Sequence, residues 1–271
     1  MNELTEKEFQ NIREYIKQHF GINLGPDKKS LIYSRLRSTL VEKGFTNFTQ
    51  YYEHLLRDKN DSTLTNFINK ITTNHTFFMR EPGHFKYLKE TVLPEIESQF
   101  GHEKDLRLWC AGCSSGEEAY ILKMIAEDYF RNKNWDTEIL ATDISSDMLR
   151  KALAGRYPTE SVQSMPSEWV QKYFVHQGDT STVSEAIKKD ITFRYLNLMQ
   201  ENLKFRKKFQ VIFCRNVMIY FDLETRLSLV DRFYDVSENG AYLFIGHSES
   251  LNNTKTRYKY VLPAVYRKEL P

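Results

Sequence analysis

Residues 106–120 read LRLWCAGCSSGEEAY. An apolar run ends at Gly112, and past Gly116 an amphipathic stretch extends to Phe130, so a strand hands over to a helix through a turn punctuated by two glycines. Outward from this point TEILATD, Ser145 to Leu153, ITFRYL, FQVIFCR, Leu223 to Val236 and AYLFIG follow in order. Short apolar runs alternating with longer amphipathic ones predict an α/β fold, a mostly parallel sheet with helices on both faces. The helix-length segments supply the right-handed crossovers that parallel neighbours need. Residues 155–190 carry Pro158, Pro166 and HQGDTST and break the rhythm, which predicts an inserted subdomain. The closing YKYVLPAVYRK predicts a terminal antiparallel pair.

Upstream the pattern is different. Phe9, Ile12, Tyr15, Ile16 and Phe20 recur at helical spacing, and breaks fall at GINLGP, at Gly44 and near Asp58 to Asp61. Residues 1–72 therefore predict a small all-helical domain, 73–103 a linker and helix, and 104–271 the sheet domain with its insert. A length of 271 residues fits two domains. Hydrophobic residues at 41% and charged residues at 27% exclude a disordered or fibrous chain. The longest apolar runs, Val217 to Phe221 and Ala241 to Ile245, are too short to cross a membrane. MNELTEKEFQ has no basic segment before an apolar core, so no secretory leader is expected. Cys110, Cys113 and Cys214 are odd in number, which with no export signal predicts a reducing, cytoplasmic setting.

Lys+Arg 38 against Asp+Glu 36 gives a formal charge of +2, which does not mark a nucleic-acid binder. The excess is local. Residues 1–80 hold 12 basic and 9 acidic side chains, and the stretch 28–43 carries Lys28, Lys29, Arg35, Arg37 and Lys43 against Glu42 alone. Such a run is ordinarily a solvated face; its functional reading is a docking surface for an acidic partner.

Three chemistries compete for the glycine turn. A dinucleotide fingerprint fails, because no glycine lies between Gly112 and Gly116 at the position needed for close pyrophosphate approach. A hydrolase elbow matches formally as Gly112-Cys113-Ser114-Ser115-Gly116, with Asp222 or Asp231 and then His247 downstream. The third is a nucleoside-cofactor loop that binds no phosphate. There Gly112 lets the backbone approach a ligand, Glu117 and Glu118 repel phosphate and attract an amino group, and Asp143 ends the second strand at the spacing that suits a ribose. Together these point to S-adenosylmethionine. Cys110-x-x-Cys113 has no second pair and the histidines are scattered, so packing is the expected role of the cysteines and no metal site is predicted.

Four further strings are longer and more specific: TTNHTFFMREPGHF (72–85), FRYLNL (193–198), IFCRNVMIYFD (212–222) and IGHSESL (245–251). With WCAGCSSGEEAY and ATDISSDML, in this order, the chain resembles the CheR family of chemotaxis-receptor glutamate methyltransferases, and within it the Bacillus-type enzymes. The resemblance implies a Rossmann-like S-adenosylmethionine-dependent methyltransferase domain behind an all-α domain. It implies cofactor contacts from Asn74, Thr76, Arg80, Gly112, Glu117 (with Glu118 as its substitute), Asp143, Asn197, Leu198, Arg215 and Asn216. Arg80, Tyr220 and Arg215 are expected at the reacting groups, S-adenosylhomocysteine as the product, and no metal. The expected partner is the cytoplasmic helical region of chemotaxis receptors, met by the basic stretch of a monomeric, cytoplasmic enzyme recruited to receptor arrays, with neither nucleic-acid binding nor membrane insertion. Family members that bind a C-terminal receptor pentapeptide carry a glycine-triplet loop in the insert. Here HQGDTSTVSEA keeps only Gly178, which argues against that tether. The alternatives are a methyltransferase for another acceptor, although no N-P-P-Y or D-P-P-Y string is present, and a cofactor-binding scaffold without turnover.

Overall fold

The computed structural model describes residues 3–58, 61–251 and 255–270. Four helices come first: α1 (Glu6–Phe20), α2 (Lys29–Glu42), α3 (Phe48–Arg57) and α4 (Asp61–Ile71). Thr5 and Glu8 start α1 with a reciprocal capping box that satisfies two otherwise orphaned N–H groups. Gly21, at φ 70°, ends the helix in the left-handed region. The predicted stripe of α1 is buried against Ile32, Leu36 and Leu40 of α2, Phe48 and Tyr51 of α3, and Phe67 and Ile68 of α4. The break expected near Asp58 to Asp61 separates α3 from α4, and its residues 59 and 60 lie outside the described residues.

An extended linker leads to α5 (Pro82–Tyr87), a π turn (Leu88–Val92) and α6 (Leu93–Phe100). Then come β1 (Asp105–Ala111), α7 (Glu117–Phe130), β2 (Asp136–Asp143) and α8 (Ser146–Ala154). The insert follows, with β3 (Arg156–Pro158), α9 (Thr159–Val162), α10 (Ser167–Tyr173), β4 (Phe174–Gln177), β5 (Thr180–Val183) and α11 (Glu185–Lys188). Its strands form their own antiparallel sheet, in the order β3-β5-β4. The chain re-enters the main sheet through β6 (Ile191–Tyr195), β7 (Phe209–Cys214), α12 (Leu223–Asp235) and β8 (Ser237–Ile245), and closes on β9 (Lys259–Leu262) and β10 (Val265–Arg267). The main sheet runs β6-β2-β1-β7-β8-β10-β9, parallel except where β10 pairs antiparallel with β8 and β9.

Alternation along β1 explains the two cores. Leu108 and Cys110 face the layer holding Leu88, Leu122 and Ile125, whereas Trp109 and Ala111 face Leu229 and Phe233 of α12. Trp109 is fully buried and its indole N–H donates to Thr142 Oγ1 at 2.9 Å, the partner that such a ring requires. Truncating it to alanine costs about 3–5 kcal/mol.

The helical domain is fastened to the rim of the sheet. Ile22 forms an antiparallel bridge with Phe221, Asn23 donates its N–H to the Tyr220 carbonyl at 2.7 Å, and Lys17 pairs with Asp222 at 2.8 Å. Asn69 of α4 reaches Ser146 at 3.1 Å.

Candidate active site

Beyond the carboxyl ends of β1, β2 and β7 lies a cavity of 370 Å³, where neighbouring strands of an open α/β sheet lead away in opposite directions. The helical domain supplies one wall through Phe20, Ile22, Leu24 and Lys28. The size suits a small organic ligand.

The glycine turn is strapped to the end of β2, because the Thr142 carbonyl accepts N–H groups from Gly112 and Cys113 at 2.8 and 2.9 Å. Gly112, at φ 90°, is required on two counts: the backbone conformation, and a Cβ that would drive into Val217. The hydrolase reading ends here. Ser114 Oγ donates to the Asn74 carbonyl, Asp222 caps α12, Asp231 pairs with Arg257, and His247 stacks edge-on against His84. Cys110, Cys113 and Cys214 are buried, which pushes all three thiols well up, the behaviour of packed side chains.

Asp143 faces the cavity. Its Oδ2 accepts from Ser114 N–H and its Oδ1 from Ser145 N–H, both at 2.8 Å, so the carboxylate is locked in orientation while each oxygen keeps a lone pair. Burial pushes its pKa up, and these backbone donors pull it back.

Of the two adjacent acids, the structure places Glu118 on the cavity wall. Glu117 does not line the cavity: it is buried on the side of Tyr157, accepts from Ser115 Oγ at 2.7 Å, and has its pKa raised by burial. Glu118, one helical step of about 100° further on, lies on the wall and accepts from Arg215 at 2.8 Å. Sequence alone does not choose between adjacent acids at a helix start.

Arg215 lines the cavity with its guanidinium already engaged. Its side chain is 1% exposed; Nε and Nη2 donate to Glu81 Oε2 at 3.3 and 3.0 Å, Nη2 also to the Arg80 carbonyl, and Nη1 to Glu118. It orients the wall. Asn216 adopts φ 59° next to it, and its N–H donates to Glu249 at 3.0 Å. Glu249, 5% exposed, also accepts from the N–H groups of Ile219 and Gly246, and so stitches the loop after β7 to the loop after β8. Neither Glu81 nor Glu249 was singled out by the sequence; the repeated acids of REPGHF and GHSES were the available signal.

Asn74, Thr76 and Arg80 come from the linker and line the cavity, as do Leu198 and Tyr220. Arg80 donates to the His75 carbonyl at 2.9 Å and its guanidinium lies 5.9 Å from the exposed Phe77 ring. Asn197 reaches the same wall, but its side chain serves a domain contact, donating to the His19 carbonyl at 2.7 Å and accepting from Met199 N–H.

The basic stretch is less uniform than its composition suggests. Arg35 is corrected from docking residue to structural clamp, because it donates to the carbonyls of Ile71 and Thr72 and to the Thr73 hydroxyl where α4 ends. Lys28 and Lys29 pair with Asp27 and Glu6. Arg37 and Lys43 are exposed. Gly178 lies in the turn joining β4 and β5, at φ 58°.

The cavity's polar wall fits the expected cofactor. A fixed carboxylate, a second acid and an arginine on one cavity wall are groups that suit a zwitterionic nucleoside. Comparison with known proteins agrees. Residues 7–72 match the CheR methyltransferase all-alpha domain and residues 74–266 the CheR methyltransferase SAM-binding domain. The chain is 42% identical to a chemotaxis protein methyltransferase of Borreliella burgdorferi, over 98% of this chain and 95% of that protein. It is 34% identical to chemotaxis protein methyltransferase 1 of Pseudomonas aeruginosa over 94% of each, and 32% identical to the Escherichia coli chemotaxis protein methyltransferase over 97% and 91%.

Proposed function

This chain belongs to the CheR methyltransferase family, and on that premise we propose that it methylates glutamate side chains of chemotaxis receptors, with Asp143, Glu118 and Arg80 holding S-adenosylmethionine in the cavity. The observation that carries the reading is the cavity itself, with its fixed Asp143 carboxylate. The cofactor supplies a methyl group on a sulfonium and leaves as S-adenosylhomocysteine. Asp143 holds the ribose, Leu198 and Asn197 border the base, Glu118 takes the amino group, and Arg80 takes the carboxylate, for which a guanidinium fork is well shaped. Asn74, Thr76, Gly112 and Asn216 complete the enclosure.

The acceptor explains why no general base is needed. A glutamate with a pKa near 4.3 is already ionised at neutral pH. The chain's task is then to orient the carboxylate and to exclude water from a step in which opposite charges disappear. Tyr220 and Arg80 face the approach, while Arg215 fixes the Arg80 backbone through its carbonyl and acts by positioning. The enzyme is expected to work as a monomer without a metal cofactor.

The receptor helix is acidic where it is methylated, so exposed Arg37 and Lys43, with Lys28 at the cavity rim, would steer it. The insert offers a single glycine, so direct docking is favoured over a peptide tether. Incubation with methyl-labelled S-adenosylmethionine and receptor-containing membranes, followed by alkali, tests the reaction. Methanol released by base identifies a carboxyl methyl ester. Alkali-stable label would assign another acceptor, and absence of label would leave a scaffold.

A further inference from the structure

The geometry points to a divalent-cation site outside the cofactor cavity, formed by Glu81, His84 and His247. One ligand atom from each lies within 4.8 Å of the other two, and Glu81 Oε2 stands 3.5 Å from His84 Nδ1. Two ligands each about 2.1 Å from a tetrahedral zinc ion are about 3.4 Å apart, so this pair already spans one edge of such a site. His247 is exposed, with its ring 4.6 Å from that of His84, and it supplies the third ligand atom within the 4.8 Å span. Solvent takes the fourth.

A second observation is independent of the clustering. His84 is 1% exposed, yet neither ring nitrogen has a hydrogen bond of good geometry among the described residues, although the Pro263 carbonyl lies beside the ring. A buried nitrogen left this way is costly and calls for a bound water or ion. The charge balance is also favourable, since Arg215 lies between Glu81 and Glu118 and leaves one carboxylate in excess. Two imidazoles and one carboxylate suit zinc or a neighbouring first-row metal better than magnesium or calcium.

The site is coupled to the cavity. Glu81 Oε2 is also the acceptor for Arg215, which holds the Arg80 carbonyl and Glu118. A cation drawn onto Glu81 competes with that arginine, so loading the site lowers methyl transfer reversibly.

The test uses the full chain, stripped with a chelator and titrated with Zn²⁺ by calorimetry, and with Co²⁺ for its visible absorption. One equivalent should bind, with the intense bands of a four-coordinate cobalt centre. His247→Ala should weaken binding at least about tenfold, while affinity for S-adenosylhomocysteine, measured separately, stays unchanged because His247 does not line the cavity. His102→Ala, at an exposed histidine elsewhere, should bind the metal like the parent. Absence of saturable binding, a six-coordinate cobalt spectrum, or equal affinity in the His247 variant would overturn the site and leave a bound water as the partner of His84.

Discussion

Two carboxylates ending the glycine turn have opposite fates, and the difference is measurable. Asp143→Ala removes the carboxylate that we propose accepts two ribose hydroxyls; at about 1.5–3 kcal/mol per hydrogen bond to a charged group, S-adenosylhomocysteine affinity should fall at least tenfold by calorimetry. Glu118→Gln should also weaken binding, whereas Glu117→Gln should leave it within about twofold, reversing the preference that the sequence suggested. Glu117 shows itself instead in stability. Burial raises its pKa in the folded protein, so the native state holds the proton more tightly, and stability falls as pH rises from the ordinary carboxylate range through that raised pKa. Glu117→Gln never charges, so its melting temperature relative to the parent should increase between pH 4.5 and 8. A constant difference across that range would assign Glu117 no such penalty. Asp143 was legible because strand periodicity put it at the end of β2. The choice between adjacent glutamates was not, because it depends on the entry angle of α7, set by Gly116 at φ 97°.

At the scale of elements, the loops after β7 and β8 hold together through one buried anion. Glu249 accepts from Asn216, Ile219 and Gly246, and Gly246 lies so close to Asn216 that any side chain there would collide with its amide. Glu249→Gln retains shape but turns an NH2 group towards N–H donors. Stability should drop by about 1–3 kcal/mol in urea titration. Turnover should fall more than cofactor affinity, because Tyr220 sits in the loop that Glu249 holds, whereas of the proposed cofactor contacts Asn216 belongs to it and Asp143 and Leu198 do not. Equal loss in both, tracking the melting temperature, would assign Glu249 to folding alone. The strands themselves were legible from apolar runs, and the irregular insert from its prolines. What binds loops to one another was hidden, since the backbone donors that Glu249 collects carry no sequence signature and Glu81 lies far along the chain from its partner Arg215.

For the whole molecule, helical spacing before residue 72 and alternating strands and helices from residue 104 made the all-helical and sheet parts legible, and the basic stretch lies along α2. Its composition could not distinguish Arg35, spent on the end of α4, from exposed Arg37 and Lys43. Charge reversal at Arg37 and Lys43 together should therefore raise KM for receptor, flatten the salt dependence of methylation and leave cofactor affinity unchanged. Arg35→Glu is a poor probe of docking, as it disrupts the exit of α4 as well. If the double reversal leaves receptor methylation and its salt dependence intact, docking uses another face.

The bridge between Ile22 and Phe221 joins a residue near the beginning of the chain to one near its end. As the polypeptide emerges from the ribosome, the helical domain can bury its own core early, but the wall it offers to the cavity has nothing to close against until the segment after β7 has been translated. A chain lacking that segment would therefore have the helical domain's wall but nothing for it to close against.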